Sequence, residues 1–235
     1  MEDSSLVCTP MIVGCKLRKD DISLDVEQRT YQSMIGSLLY ITASCLDIMQ
    51  AIFMVGRFQS APKQSHLVVV KRIFKYLKGT MNYGLWYPRN QKFQLTTYSD
   101  FVWANFLDER KSTSGGAFFL GYSLVAWLSK KQSSIALSII EAEYVVVATC
   151  CTHVLWMIQT LAYLEVKYVE PISLHYDNTS AISISKNPVL HSKTKHIPIK
   201  YHFLRDSVAN RVVQLQFIFS TEQIVDIFTK PIVKV

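Results

Sequence analysis

Four acidic residues stand in settings where a carboxylate is costly. Asp100 lies inside the strand-like run Tyr98-Ser99-Asp100 rather than in a turn. Glu143 follows Glu141-Ala142 and precedes Tyr144-Val145-Val146-Val147-Ala148, on the side of an apolar helix shared with Ile139 and Val147. Asp177 falls where a strand ends and Asn178 can cap a helix, the position at which α/β sheets usually present ligands. Asp226 is held between Ile224-Val225 and Ile227-Phe228. An unpaired carboxylate in apolar surroundings costs free energy, and four together would repel unless a cation sat among them. Each acid also has a plain structural reading. Asp177 suits a helix start, Asp226 suits the N-terminal half of its helix, and Glu143 could pair with a lysine. Spacing alone does not bring the four together.

The elements that must position them follow from pattern. Residues 1–29 are polar and irregular, with Pro10, Gly14 and a charged run over Lys16–Asp21, and read as a tether. Apolar spacing from Thr30 to Phe58 predicts two helices broken near Ser44–Asp47. A clearer helix runs from Ser65, which can cap it, to Lys78, with Gly79 as its stop. Lys71, Arg72, Lys75 and Lys78 occupy its remaining faces, either as a solvated basic surface or as a groove that tracks phosphate. Tyr87-Pro88-Arg89-Asn90 marks a boundary, so 30–90 is read as a helical segment and 91–235 as a second domain.

After that boundary the texture changes to strands: Phe93–Trp103, Gly116–Gly121 and Leu124–Ser129. Ser138-x-x-Glu141 matches a capping box and predicts a helix from about Ile139 to Leu164. Ile172–Tyr176 reads as a strand and Asn178–Lys186 as a short helix stopped by Pro188. His196–Asn210 reads as a helix, Val212–Phe219 as a strand, and Thr221–Lys230 as a last helix capped through Ser220 and Gln223. The order describes an α/β domain, a mixed sheet with helices packed against it.

Composition permits this. The 235 residues are 49% apolar and 12% aromatic, which excludes a disordered chain. A net charge of +7 leans toward a polyanionic partner, although it also serves solubility. Five cysteines without a Cys-x-x-Cys pair point to buried free thiols in a reducing compartment. The acidic start Met1-Glu2-Asp3 is no signal peptide, which leaves the cytoplasm as the default location and the nucleus as the alternative. Residues 34–56 are apolar, but Asp47 and Gln50 interrupt them, so core helices are expected there and no membrane association.

Several runs, in order and over nearly the whole chain, resemble the C-terminal part of the Pol polyprotein of copia-type retrotransposons, the end of the reverse transcriptase region followed by RNase H. They are Tyr31-Gln32-Ser33-Met34-Ile35-Gly36-Ser37-Leu38-Leu39-Tyr40, Lys71-Arg72-Ile73-Phe74-Lys75-Tyr76-Leu77-Lys78-Gly79-Thr80 and Arg110-Lys111-Ser112-Thr113-Ser114-Gly115. Ser129-Lys130-Lys131-Gln132-Ser133, Glu141-Ala142-Glu143-Tyr144, Asp177-Asn178, His191-Ser192-Lys193-Thr194-Lys195-His196 and Asp226-Ile227-Phe228-Thr229-Lys230-Pro231 continue the series. The resemblance implies an RNase H-like five-stranded mixed sheet, three antiparallel strands then two parallel to the first. It implies Asp100, Glu143, Asp177 and Asp226 as catalytic, metal-holding acids. Mg²⁺ suits an all-oxygen donor set, with Mn²⁺ as an alternative. Two ions about 3.5–4 Å apart would activate water and stabilise the leaving oxygen. The implied partner is an RNA–DNA hybrid read by shape, alongside the rest of a reverse transcriptase. Arg110, Lys111, Ser112, Ser114, Asn178, Lys193, Lys195 and His196 are the implied nucleic-acid contacts.

Departures from the family's pattern bear on activity. Val102 replaces a second acid after Asp100, and Asn105 replaces a glycine. Ile139-Ile140 replace a Ser-Thr pair, and Pro198 replaces an acid, which moves that helix start to about Ile197. The paired aspartates of a polymerase palm do not occur, so DNA synthesis is excluded. Residues 30–80 then look like the tail of a region without its palm, as expected of a truncated or decayed copy with exposed apolar surface. Beside the nuclease stand two other expectations: a remnant that binds nucleic acid through lysines such as Lys130, Lys131, Lys193 and Lys195 without cutting, and a remnant with no partner.

Overall fold

The computed structural model describes residues 5–19, 21–89, 93–103, 111–166, 168, 171–179, 182–183 and 203–231. The chain divides into two compact units, Met1–Leu85 with Lys230–Val235, and Trp86–Thr229.

In the first unit, α1 (Gln28–Ile41), α2 (Met49–Val55) and α3 (Gln64–Gly79) pack around Tyr31, Ile35, Leu38, Ile52, Val55, Val70 and Ile73. A single 3-10 turn, Leu46–Ile48, separates α1 from α2, so the apolar stretch 34–56 is broken where Asp47 predicts. The Tyr31 hydroxyl donates to the Val55 carbonyl at 2.8 Å, which satisfies the one polar atom of a fully buried ring.

Two expectations change here. The N-terminal stretch is more than a tether: Met11 is buried, and the Arg72 guanidinium donates to the Thr9 carbonyl and hydroxyl at 3.1 and 2.9 Å. Ser65 is not the cap of α3. Lys63 occupies that position, and its amide donates to His66 Nδ1 at 3.1 Å, because the buried imidazole offers a better-placed acceptor one turn in.

The second unit holds one sheet in the order β3-β2-β1-β4-β5. Its strands are β1 (Leu95–Val102), β2 (Thr113–Leu120), β3 (Ser123–Lys131), β4 (Ile172–Tyr176) and β5 (Val213–Phe217). β1, β2 and β3 are antiparallel, while β4 and β5 run parallel to β1. This is the RNase H-like order that the resemblance implies. β2 starts at Thr113, earlier than predicted, because Val102 and Phe101 pair with Thr113 and Ser114 and extend the ladder past Asp100.

α4 (Ile139–Tyr163) starts at the predicted signature. Ser138 Oγ accepts from the Glu141 amide at 3.1 Å, and the Glu141 carboxylate accepts from the Leu137 amide at 2.7 Å. α4 is long and apolar enough to cross a membrane by length and composition, yet half of its most apolar window is buried in the fold. Its buried residues join Phe118, Leu128, Ile172, Leu174, Val213 and Leu215 in one core.

Two consecutive glycines on β2 explain how closely helices approach the sheet. Successive strand residues face opposite sides. A Cβ on Gly116 would stand 2.9 Å from Cys150 Sγ of α4. A Cβ on Gly115 would stand 2.6 Å from Thr229 Cγ2 and 2.8 Å from Val225 Cγ1, which belong to the C-terminal segment.

That segment is not the single helix predicted over 221–230. A 3-10 turn, Ser220–Glu222, leads to an extended Gln223 and then to the short α6 (Asp226–Thr229). The interruption has a cause: the buried Gln223 amide donates to the Ser99 carbonyl at 2.9 Å, which draws the chain onto β1. Before it comes α5 (Phe203–Ala209). The predicted start of that helix near Ile197 and most of the helix expected over 178–186 lie outside the described residues. Of the five cysteines, Cys150 and Cys151 are buried as expected, whereas Cys8 is exposed and Cys15 and Cys45 are partly so.

Candidate functional site

Sheet topology places the acids at one end. Asp100 pairs with Gly115 across β1 and β2, so its side chain shares the face on which Thr229 packs. β1 and β4 pair with Tyr98 opposite His175; the same offset carried two residues further puts Asp100 level with Asp177. Glu143 comes from the second turn of α4, whose start is tied to β2 through Gln132. The buried Gln132 amide donates to Ser114 Oγ at 3.2 Å and to the Ala142 carbonyl at 2.9 Å.

Glu143 is strongly perturbed. Its side chain is 3% exposed. Burial pushes its carboxyl up to about 7; the Asn178 hydrogen bond and the proximity of the Tyr176 hydroxyl oppose the rise, while the Asp177 and Asp100 charges add to it. Asn178 Nδ2 donates to Glu143 Oε1 at 2.5 Å. Glu143 Oε2 is buried without a hydrogen-bond partner, and so is Tyr176 Oη, whose ionisation burial and Glu143 push well up.

Two of the remaining acids accept from a neutral hydroxyl. Asp100, also 3% exposed, accepts from the Thr229 hydroxyl at 2.5 Å. Asp177 is partly exposed and accepts from the Ser220 hydroxyl at 3.2 Å. Asp226 is partly exposed at the first position of α6. Asp100, Glu143 and Asp177 therefore lie within one another's electrostatic reach, and α6 carries Asp226 on the segment that docks beside Asp100. Among the described residues, however, no three His, Cys, Asp or Glu side chains converge closely enough to hold a metal ion.

The expected nucleic-acid contacts divide. Lys111 is partly exposed. Ser112 and Ser114 are buried at the start of β2, at 2% and 3% exposure. Asn178 is partly exposed and donates to Glu143 Oε1. Arg110, Lys193, Lys195 and His196 lie outside the described residues. Residues not expected at the site also shape it: Thr229 and Gln132, with Ser220 and Gln223, which the sequence predicts only as helix caps. Their motifs were visible, but their partners stand in other elements.

Retrovirus-related Pol polyproteins are similar to the chain. That of transposon RE1 from Arabidopsis thaliana is 34% identical over 226 residues, covering 96% of this chain and 15% of the polyprotein. That of transposon TNT 1-94 from Nicotiana tabacum is 32% identical over 237 residues, covering 98% and 18%. The chain thus spans less than a fifth of the length of these relatives. Among solved structures, the N-terminal RNase H domain of Rv2228c from Mycobacterium tuberculosis aligns with a TM-score of 0.38 and 9% identity, over 59% of this chain and 91% of that one. That likeness is too low to add to what the strand order shows. No family model matches the chain.

Proposed function

Because the chain belongs to the retrovirus-related Pol polyproteins of copia-type transposons, we propose that its sheet domain is an RNase H-type endonuclease acting on the RNA strand of an RNA–DNA hybrid. Asp100, Glu143, Asp177 and Asp226 would hold divalent ions, Mg²⁺ in the first place. When bound, such ions lower the pKa of water and neutralise charge on the phosphate and the leaving oxygen. The chain's own part is to bring the acids to one end of the sheet and to exclude water around Glu143.

The single observation that carries this reading is Glu143: a carboxyl raised to about 7, with one buried oxygen unpartnered and two more acids beside it. Such an arrangement is unfavourable for structure alone and is resolved by a cation. Asn178 holds the opposite oxygen, which leaves Oε2 as the ligand atom.

A second reading has its own support. Val102 stands where a second acid is expected, and the acids do not converge among the described residues. A chain that binds hybrids without cutting them would follow. Incubation of a labelled RNA–DNA hybrid with Mg²⁺ and either the native chain or Asp177→Asn decides. Cleavage lost in the variant supports the nuclease. Equal products from both, or none from either, defeat it, and salt-dependent binding without cleavage selects the second reading.

A further inference from the structure

The proposed site leaves one question open: what fixes the C-terminal segment, and with it Asp226, against β1. Two contacts converge on Thr229, and a third anchors its neighbour Phe228. Thr229 is fully buried, and its hydroxyl donates to Asp100 Oδ2. Its methyl group occupies the space that a side chain at position 115 would fill, since a Cβ there would stand 2.6 Å from Thr229 Cγ2. The neighbouring Phe228 carbonyl accepts from the buried Ser129 hydroxyl of β3 at 2.6 Å, so the turn that presents Thr229 is itself anchored to the sheet.

From this juxtaposition we propose that Thr229 is a positioning residue: its hydroxyl orients the Asp100 carboxylate and, three residues along α6, sets Asp226 at a fixed distance from it. The proposal rests on the nuclease reading for its consequence, but the clamp itself is a property of the fold. A hydroxyl that holds one oxygen of a carboxylate fixes the plane in which the carboxylate is presented. Outer partners of this kind change metal affinity about 10–100-fold when removed. Valine keeps the shape of threonine and loses the donor, whereas serine keeps the donor and loses the methyl group.

The test uses the full chain in two measurements. Urea unfolding without metal is run as a double-mutant cycle with Thr229→Val and Asp100→Asn. Mn²⁺ binding is measured by calorimetry for the native chain, Thr229→Val and Thr229→Ser. The clamp predicts non-additive effects in the cycle, a loss of Mn²⁺ affinity of about 10-fold or more in the valine variant, and recovery with serine. Additive effects in the cycle, or a folded valine variant with native Mn²⁺ affinity, overturn it. A native chain that binds no Mn²⁺ overturns the nuclease reading; the cycle needs no metal and still decides for or against the hydrogen bond.

Discussion

Asn178 Nδ2 donates to one oxygen of Glu143 at 2.5 Å, while the other oxygen of the same carboxyl is buried with no partner. The two oxygens of one side chain are thus treated differently: one accepts from an amide just past β4, and the other is buried near the Tyr176 hydroxyl without a hydrogen bond. This asymmetry makes the ionisation of Glu143 sensitive to anything placed beside it.

The first consequence concerns pH. Burial raises the Glu143 carboxyl to about 7 from an ordinary value of 4.5. Between those values the folded chain retains a proton that the unfolded chain releases. Stability contributed by this group is therefore full below pH 4.5, falls as pH rises toward 7, and is flat above. The linked change is at most about 3 kcal/mol. Urea unfolding of metal-free protein across this window reads it. Glu143→Gln abolishes the slope and is more stable than the native chain above pH 7.

A second concerns Asn178. Its hydrogen bond favours the ionised carboxylate, so Asn178→Ala moves the Glu143 titration further upward. The pH at which the unfolding free energy stops falling shifts to higher values. An unchanged profile would mean that the amide has no hold on Glu143.

Much of this was legible in the chain. Tyr98-Ser99-Asp100 reads as a strand because Leu95, Thr97 and Ser99 alternate with Thr96, Tyr98 and Asp100 between the two faces of β1, and Ser138-x-x-Glu141 announces the start of α4 because its two hydrogen bonds are local. The docking of the last segment was not legible. Thr229 and Asp100 are separated by 129 residues, and Gln223 and Ser99 by 124. Helical spacing over 221–230 is real, but the Gln223 bond to β1 overrides it. The second strand is predicted to start too late, at Gly116, for a similar reason: only the pairing of Thr113 and Ser114 with Val102 and Phe101 shows that β2 has already begun.

Steric room provides a third prediction. Gly115→Ala and Gly116→Ala each place a methyl group under 3 Å from a neighbour, Thr229 and Val225 in one case and Cys150 in the other. Overpacking of this kind costs about 1–3 kcal/mol. Gly115→Ala displaces the C-terminal segment, so hydrogen exchange rises over 223–229; Gly116→Ala acts on α4 and leaves that segment protected. Both signatures are read by exchange on the folded variants.

The first unit carries a fourth. His66 is fully buried and stacked on Phe58 at 3.8 Å, accepts from the Lys63 amide through Nδ1, and contacts the Arg18 carbonyl through Nε2 at 2.9 Å. The neutral ring with its proton on Nε2 satisfies both. Burial lowers its pKa and Lys63 lowers it further, against the Arg18 hydrogen bond and Asp21. Its contribution is present above pH 6.5 and is lost as pH falls through the depressed folded value. The protection factor of the Lys63 amide, corrected for the intrinsic pH dependence of exchange, falls on acidification, and His66→Gln flattens that response.

The last prediction joins protons to metal. At pH 7 the Glu143 carboxyl is close to half protonated in the metal-free chain. A divalent ion requires it as a carboxylate, so binding displaces the remaining proton. Calorimetry with Mn²⁺ in two buffers of different ionisation enthalpy reports that release directly. About half a proton leaves at pH 7, more leaves at pH 6, and almost none at pH 8.5. Glu143→Gln binds Mn²⁺ more weakly and with no proton release from this site. Metal binding to the native chain with no buffer dependence at pH 6 would place the ion elsewhere, and the raised carboxyl would then belong to the packing of α4 alone.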